Sequence, residues 1–180
     1  MDEVSNDVII DLFIYIYWLI YLICICIQVQ MRVRYLRKNN QKNTLQQIAQ
    51  LIEDNQYHEN LNDDDLFYFN CKFEPNSSKI KLGDGNDNNH LNICLTSRSL
   101  MKYCEYNGVF QLDCTYKIIK NRFPLVVFGN CDIKGKFFPI AFMISSHETE
   151  EDFFQFYSGL IELADKLNIY FEPQYIMQNA

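Results

Sequence analysis

The sequence predicts a mixed α/β domain, an α+β sheet laid down in the order β-β-β-α-β and preceded by a hydrophobic N-terminal helix. Three features carry that expectation. Strand-like runs VFQLDCTYKII, RFPLVVFGNCDI and KFFPIAFMISS follow one another from Val109, with Asp132 to Gly135 supplying a tight turn between the last two. HETEEDFFQFYSGLIELADKL then opens with acids, which the positive end of a helix dipole favours. It sets Phe153, Phe156, Tyr157, Leu160, Ala164 and Leu167 along one face. After Pro173, residues Tyr175, Ile176 and Met177 begin a fourth strand, and a strand reached through a helix lies parallel to one of its predecessors.

The elements upstream are shorter. Thr44 to Asp54 places Leu45, Ile48, Ala49 and Ile52 at helical spacing, with Thr44 and Gln47 as a capping box. LFYFNCKFEP from Leu66 and LNICLTSRSL from Leu91 suit strands, and GDGNDNNH at 83–90 between them is a hairpin-like loop. Asp84, Asn86 and Asn88 alternate as in a calcium loop. Asn89 and Leu95, however, stand where such a loop needs Gly and Glu, so the segment reads as a turn. Gly159 inside the long helix costs about 1 kcal/mol against alanine, so packing must hold that helix. The organisation is an N-terminal segment 1–43, a short helix and linker 44–65, and a domain 66–180.

Composition narrows the function. An apolar fraction of 48% and an aromatic fraction of 15% over 180 residues describe a folded chain. A formal charge of −7 and a pI near 4.9 have the wrong sign for a domain that grips nucleic acid by neutralising phosphates. The acidic runs at 63–65 and 148–152 read as solvated surface or a helix start, and His58 and His90 lie in polar loops without ligand-like company. The seven cysteines lack CxxC spacing and read as reduced thiols, with Cys24 and Cys26 inside a hydrophobic run. That run, 8–27, approaches the ~20 residues of a transmembrane helix, with acids before it and Arg32, Arg34, Arg37 and Lys38 after it. Three origins compete for it: a membrane anchor, an apolar core element, or untranslated DNA read into the frame. A genuine span implies membrane localisation, and otherwise the nucleus or cytoplasm is expected.

Asp113 stands within an apolar strand, where a carboxylate needs a partner, a metal or an open face. Cys114 with His147 is weighed as a cysteine-hydrolase pair, but Cys114 reads more simply as the small residue after Asp113 and His147 as a loop residue before the helix. From Phe110 to Tyr157 the chain resembles the core of the Mutator-like (MULE) transposases. Asp113, Thr115, Tyr116, Phe123, Pro124, Leu125, Pro139, Ala141, Glu148, Thr149, Glu150 and Phe153 carry the likeness.

The resemblance implies a partial ribonuclease-H-like fold and a site of three carboxylates holding two Mg²⁺ or Mn²⁺ ions for cleavage and strand transfer of DNA. Asp113 matches the first carboxylate and metal ligand. The second belongs at the end of the fourth strand, where Ile176, Met177 and Gln178 lead to Asn179, an amide with one neutral oxygen. The third lies beyond Ala180 in the family, so the expectation is a truncated, inactive transposable-element product. The competing class is a non-catalytic, membrane-anchored interaction or scaffold protein derived from a transposon.

Overall fold

Three apolar runs along 109–145 build the centre of a mixed sheet, and the shorter elements add to its two edges. In chain order the elements are α1 (Leu45–Asp54), β1 (Phe67–Phe69), β2 (Asn92–Thr96), α2 (Arg98–Met101), a 3₁₀ turn (Lys102–Glu105), β3 (Val109–Thr115), β4 (Leu125–Cys131), β5 (Phe137–Ser145), α3 (Glu150–Leu167) and β6 (Ile176–Gln178). The computed structural model describes residues 45–106, 108–115, 123–173 and 175–178. All of them fall in one unit, Thr44–Ala180.

The six strands are ordered β1-β2-β5-β4-β3-β6. Every neighbouring pair is antiparallel except β3 with β6, which run parallel in the register Phe110↔Ile176, Gln111↔Met177, Leu112↔Gln178. The chain is therefore a mixed α+β protein with a six-stranded sheet and three α-helices among the described residues.

Because side chains alternate across a strand, the register assigns each residue to a face. One row runs Phe69–Cys94–Met143–Val126–Cys114, and a neighbouring row pairs Ala141, Phe128 and Leu112. This face packs against α3, whose Phe156, Leu160, Leu163 and Ala164 join it in one buried cluster. Phe128 is the hub, with ring centroids 5.7 Å from Phe110, 5.6 Å from Tyr157, 5.9 Å from Phe171 and 6.3 Å from Phe156. Burying each such ring contributes about 1.5–3 kcal/mol. Pro139 enters β5 at a bulge, the register stepping from Phe128↔Ala141 to Gly129↔Pro139, which spares the ladder the N–H that proline lacks. The Asp132–Gly135 turn forms as expected: Asp132 Oδ1 accepts from the amides of Lys134 and Lys136, and Gly135 has φ 82°.

Helix α3 starts at a capping box in which Asp152 takes the role usually given to Glu. The Thr149 hydroxyl accepts from the Asp152 amide, and the Asp152 carboxylate accepts from the Thr149 amide at 3.1 Å. The helix closes on Asn168 in the left-handed region, φ 54°. Gly159 lies under β1, where a Cβ would come within 2.6 Å of Asn70 Cβ. Glycine is thus what lets the strand end cross the helix.

Four expectations are corrected or narrowed. β1 is only Phe67–Phe69, because Asn70 turns left-handed at φ 55°. The strand from Leu91 stops at Thr96, because Ser97 accepts the Leu100 amide and caps α2 instead of continuing the ladder. Thr44, the expected cap of α1, lies outside the described residues, but α1 docks on the domain through buried Ile52, and Tyr68 N–H donates to Asn55 O at 2.9 Å. The transmembrane assignment is withdrawn. Residues 8–27 lie outside the described ones, and among the described residues no helix is long and apolar enough to cross a membrane. Helix α3, 18 residues long, carries acids in its first turn and Lys166 in its last.

Candidate functional site

Asp113 sits at the fifth position of β3 on the sheet face opposite α3, in the row Leu95–Phe142–Val127–Asp113. Its three row partners are buried apolar side chains, while Asp113 itself is exposed. Exposure at its own position, at the end of a row that is otherwise buried, is therefore the reason a carboxylate is tolerated inside this strand. Among the described residues no group of three or more His, Cys, Asp or Glu is placed to hold a metal ion. Asn179, expected at the second carboxylate position, lies outside the described residues, as does Tyr116; β6 is in register with β3 as far as Leu112↔Gln178, one residue short of Asp113.

Cys114 points the other way, toward α3. Burial pushes its thiol up to about 12, and a hydrogen bond to Glu148 together with the charges of Glu148 and Asp113 add to the shift. Such a thiol is protonated at neutral pH and is no nucleophile. His147 is engaged elsewhere, with Ser146 and Asp87, so the structure does not bring the Cys114–His147 pair together. Tyr157, behind Cys114, is also raised to about 12, by burial and then by Cys114.

A second polar centre lies where the 83–90 loop meets the start of α3. Asp152 is 2% exposed, yet it is fully partnered. Asn92 Nδ2 donates to it at 2.7 Å, Thr149 Oγ1 at 2.7 Å, and His90 Nδ1 lies 3.0 Å from both its oxygens. Burial alone would raise this carboxyl, but the hydrogen bonds from Asn92, Thr149 and His90 outweigh it and hold it below the usual range. Ser145 Oγ donates to Asn92 Oδ1 at 2.6 Å, which extends the network to the end of β5.

The rings of His90 and His147 stack, centroids 4.0 Å apart and planes 16° apart. Nearly parallel rings at that spacing cannot both aim in-plane lone pairs at one ion, so the pair is not a chelate. Beside it is a pocket of about 360 Å³ with His90, Asn92, Lys72, Lys81, Glu151 and Asp152 in its wall. The 83–90 segment is a turn, as its sequence implies. Asp84 Oδ1 accepts the Asn86 amide and Asn86 Oδ1 accepts the Asn88 amide, so the side chains that would ligate calcium are spent on the backbone.

Sequence reasoning singled out Asp113 and missed this second centre. It left His90 without company and read the acids of 148–152 as solvated surface or a helix start; they do start α3, but Asp152 among them is buried. The spacing Thr149-x-x-Asp152 was the available signal, since a capping-box acid faces back toward the preceding segment.

Compared with known proteins, the chain matches no family model, no curated protein and no solved structure. The transposase terms therefore have no support beyond the motif of 110–157.

Proposed function

We infer that this chain derives from a Mutator-like transposase and carries a ribonuclease-H-like sheet that no longer performs strand transfer. One observation supports the reading above the others: a mid-strand Asp on β3, the first of three antiparallel strands, with the strand that follows the helix returning parallel beside it. That connectivity, β3-β4-β5-α3-β6, is the one the motif implies, and the described end of β6 comes within one register step of Asp113. In the intact family the second metal ligand follows at that point.

Here the residue after Gln178 is Asn179. Hard divalent cations bind through charged oxygens and give up water reluctantly, so an amide in place of a carboxylate weakens a two-ion site severely. The wild-type chain accordingly binds Mn²⁺ weakly and leaves supercoiled DNA intact.

The test is Mn²⁺ binding by calorimetry together with plasmid nicking, for wild type, Asn179→Asp and Asn179→Asp with Asp113→Ala. Restoring the carboxylate should tighten Mn²⁺ at least tenfold, and removing Asp113 should erase the gain. DNA cleavage by the wild type that Asp113→Ala abolishes would overturn the inactive reading. No gain from Asn179→Asp would remove the assigned second position.

A further inference from the structure

Independently of the nuclease reading, we propose that the pocket of about 360 Å³ beside the first turn of α3 binds a small organic carboxylate, its apolar body on the pocket floor and its head between Lys72 and Lys81. The volume falls in the range of small-molecule sites, about 300–1,000 Å³. The floor is apolar: Ile52, Phe69, Ile80 and Cys94, all buried, come from α1, β1, the 72–81 segment and β2. Such a floor holds a compact hydrocarbon or aromatic body by removing it from water.

The 72–81 segment decides the charge of the head. It is a two-stranded antiparallel ribbon in which Phe73 bridges Ile80, Lys81 N–H donates to Lys72 O at 2.8 Å, and Glu74 N–H donates to Lys79 O at 2.9 Å. Residues opposite one another in such a ribbon share a face, so Lys72 stands beside Lys81 and Glu74 beside Lys79. The second pair is complementary. The first sets two like charges directly opposite, which destabilises a ribbon unless an anion joins them. Although the chain has 23 acids against 16 bases, none takes that place among the described residues: neither lysine makes an ion pair or a side-chain hydrogen bond.

The acids of the same wall are engaged elsewhere. Asp152 is held by Asn92, Thr149 and His90, Glu151 Oε1 accepts from Gln155 Nε2, and the Asp87 side chain, 97% exposed, meets His147. They still bear on the ligand. Three carboxylates in the wall oppose a doubly charged phosphate and favour a singly charged head. Each ammonium is a point charge with three donors, so the two lysines can each donate to one oxygen of a carboxylate.

Titration of the ¹⁵N-labelled full chain with 2-naphthoate, a carboxylate on a flat apolar body, and with its neutral counterpart 2-naphthalenemethanol tests this. Naphthoate should fill one saturable site, shift the amides of Lys81, Leu82, Gly83 and Ile93, and bind at least tenfold more tightly than the alcohol. Lys72→Gln with Lys81→Gln should remove that preference and leave the affinity for the alcohol unchanged. Lys81→Glu gives a second reading: opposite charges across the ribbon should raise the urea midpoint while naphthoate binding is lost. Naphthoate that shifts none of these amides, binds no more tightly than the alcohol, or keeps its affinity in either lysine variant overturns the site.

Discussion

Replacing glycine by alanine inside a helix ordinarily stabilises it by about 1 kcal/mol, since the unfolded chain loses freedom and the helix gains a better former. At Gly159 the opposite is expected. An added Cβ would lie 2.6 Å from Asn70 Cβ and 2.7 Å from its Cγ, and neither is the far end of a flexible side chain. Relief requires moving the backbone of Asn70, which is held at φ 55° and tied to the helix by its Nδ2 donating to Gln155 O at 2.8 Å. Overpacking of this kind costs about 1–3 kcal/mol. The lost hydrogen bond adds about 1 kcal/mol. Against the propensity gain of about 1 kcal/mol, Gly159→Ala should destabilise by about 1–3 kcal/mol in urea unfolding. Asn70→Gly keeps the left-handed turn and removes the obstacle, so the double variant should recover most of the loss and show a favourable coupling of about 1 kcal/mol or more. A Gly159→Ala protein as stable as the parent, or a double variant that is merely additive, would refute the close crossing of β1 over α3.

Other consequences follow from the same packing and charges. Phe128→Ala removes a fully buried ring with four aromatic neighbours and should cost about 3–5 kcal/mol, read as a lowered urea midpoint with unchanged slope. Asp152 has its carboxyl held below the unfolded value of 3.8, so its contribution is complete above about pH 4 and is lost as pH falls through the lower folded value. Asp152→Asn should flatten that acid limb of the stability curve, and an unchanged limb would show that Asp152 does not generate it. The Cys114 thiol, pushed up to about 12 by burial, should react with iodoacetamide at pH 8 roughly a thousandfold more slowly in the folded chain than in urea. Equal rates by mass spectrometry would contradict its position behind α3.

The residues that made the fold legible are those whose signal is local. Val109 to Ser145 is three strand-like apolar runs, and the Asp132–Gly135 turn between the last two is specified within four residues, so three strands were legible from local pattern. Helix α3 announces its start through the acids at its N-terminus and its face through Phe156, Leu160 and Ala164. Local signal also misled: Leu91 to Leu100 reads as one strand because apolar residues continue past Thr96, and only the Ser97 cap reveals the helix turn. The histidine centre was illegible for a different reason. His90 and Asp152 are 62 positions apart and meet only when the first turn of α3 docks beside β2, a long-range event that no local pattern encodes. Asp113 lay between these cases: its apolar flanks marked it as unusual, but only the register showed that it faces away from the helix.

That orientation bears directly on what Asp113 can do. Across β4, β5 and β2 its row continues through Val127, Phe142 and Leu95, none of which offers an oxygen ligand. A lone exposed carboxylate holds a hydrated divalent ion weakly, because the cation keeps most of its water unless several charged oxygens replace it. Among the described residues the strand on the other side of Asp113 is β6, and its described part ends one register step short, at Gln178 opposite Leu112. On the proposed reading, the chemistry of this face turns on the residue that follows Gln178 in sequence. On the proposed reading, a carboxylate there would add a second charged oxygen donor to that of Asp113, as a two-ion site requires. An amide leaves Asp113 an ordinary surface aspartate. This is why Asn179→Asp, judged by whether its Mn²⁺ gain depends on Asp113, separates a lapsed nuclease sheet from one whose Asp113 never held metal.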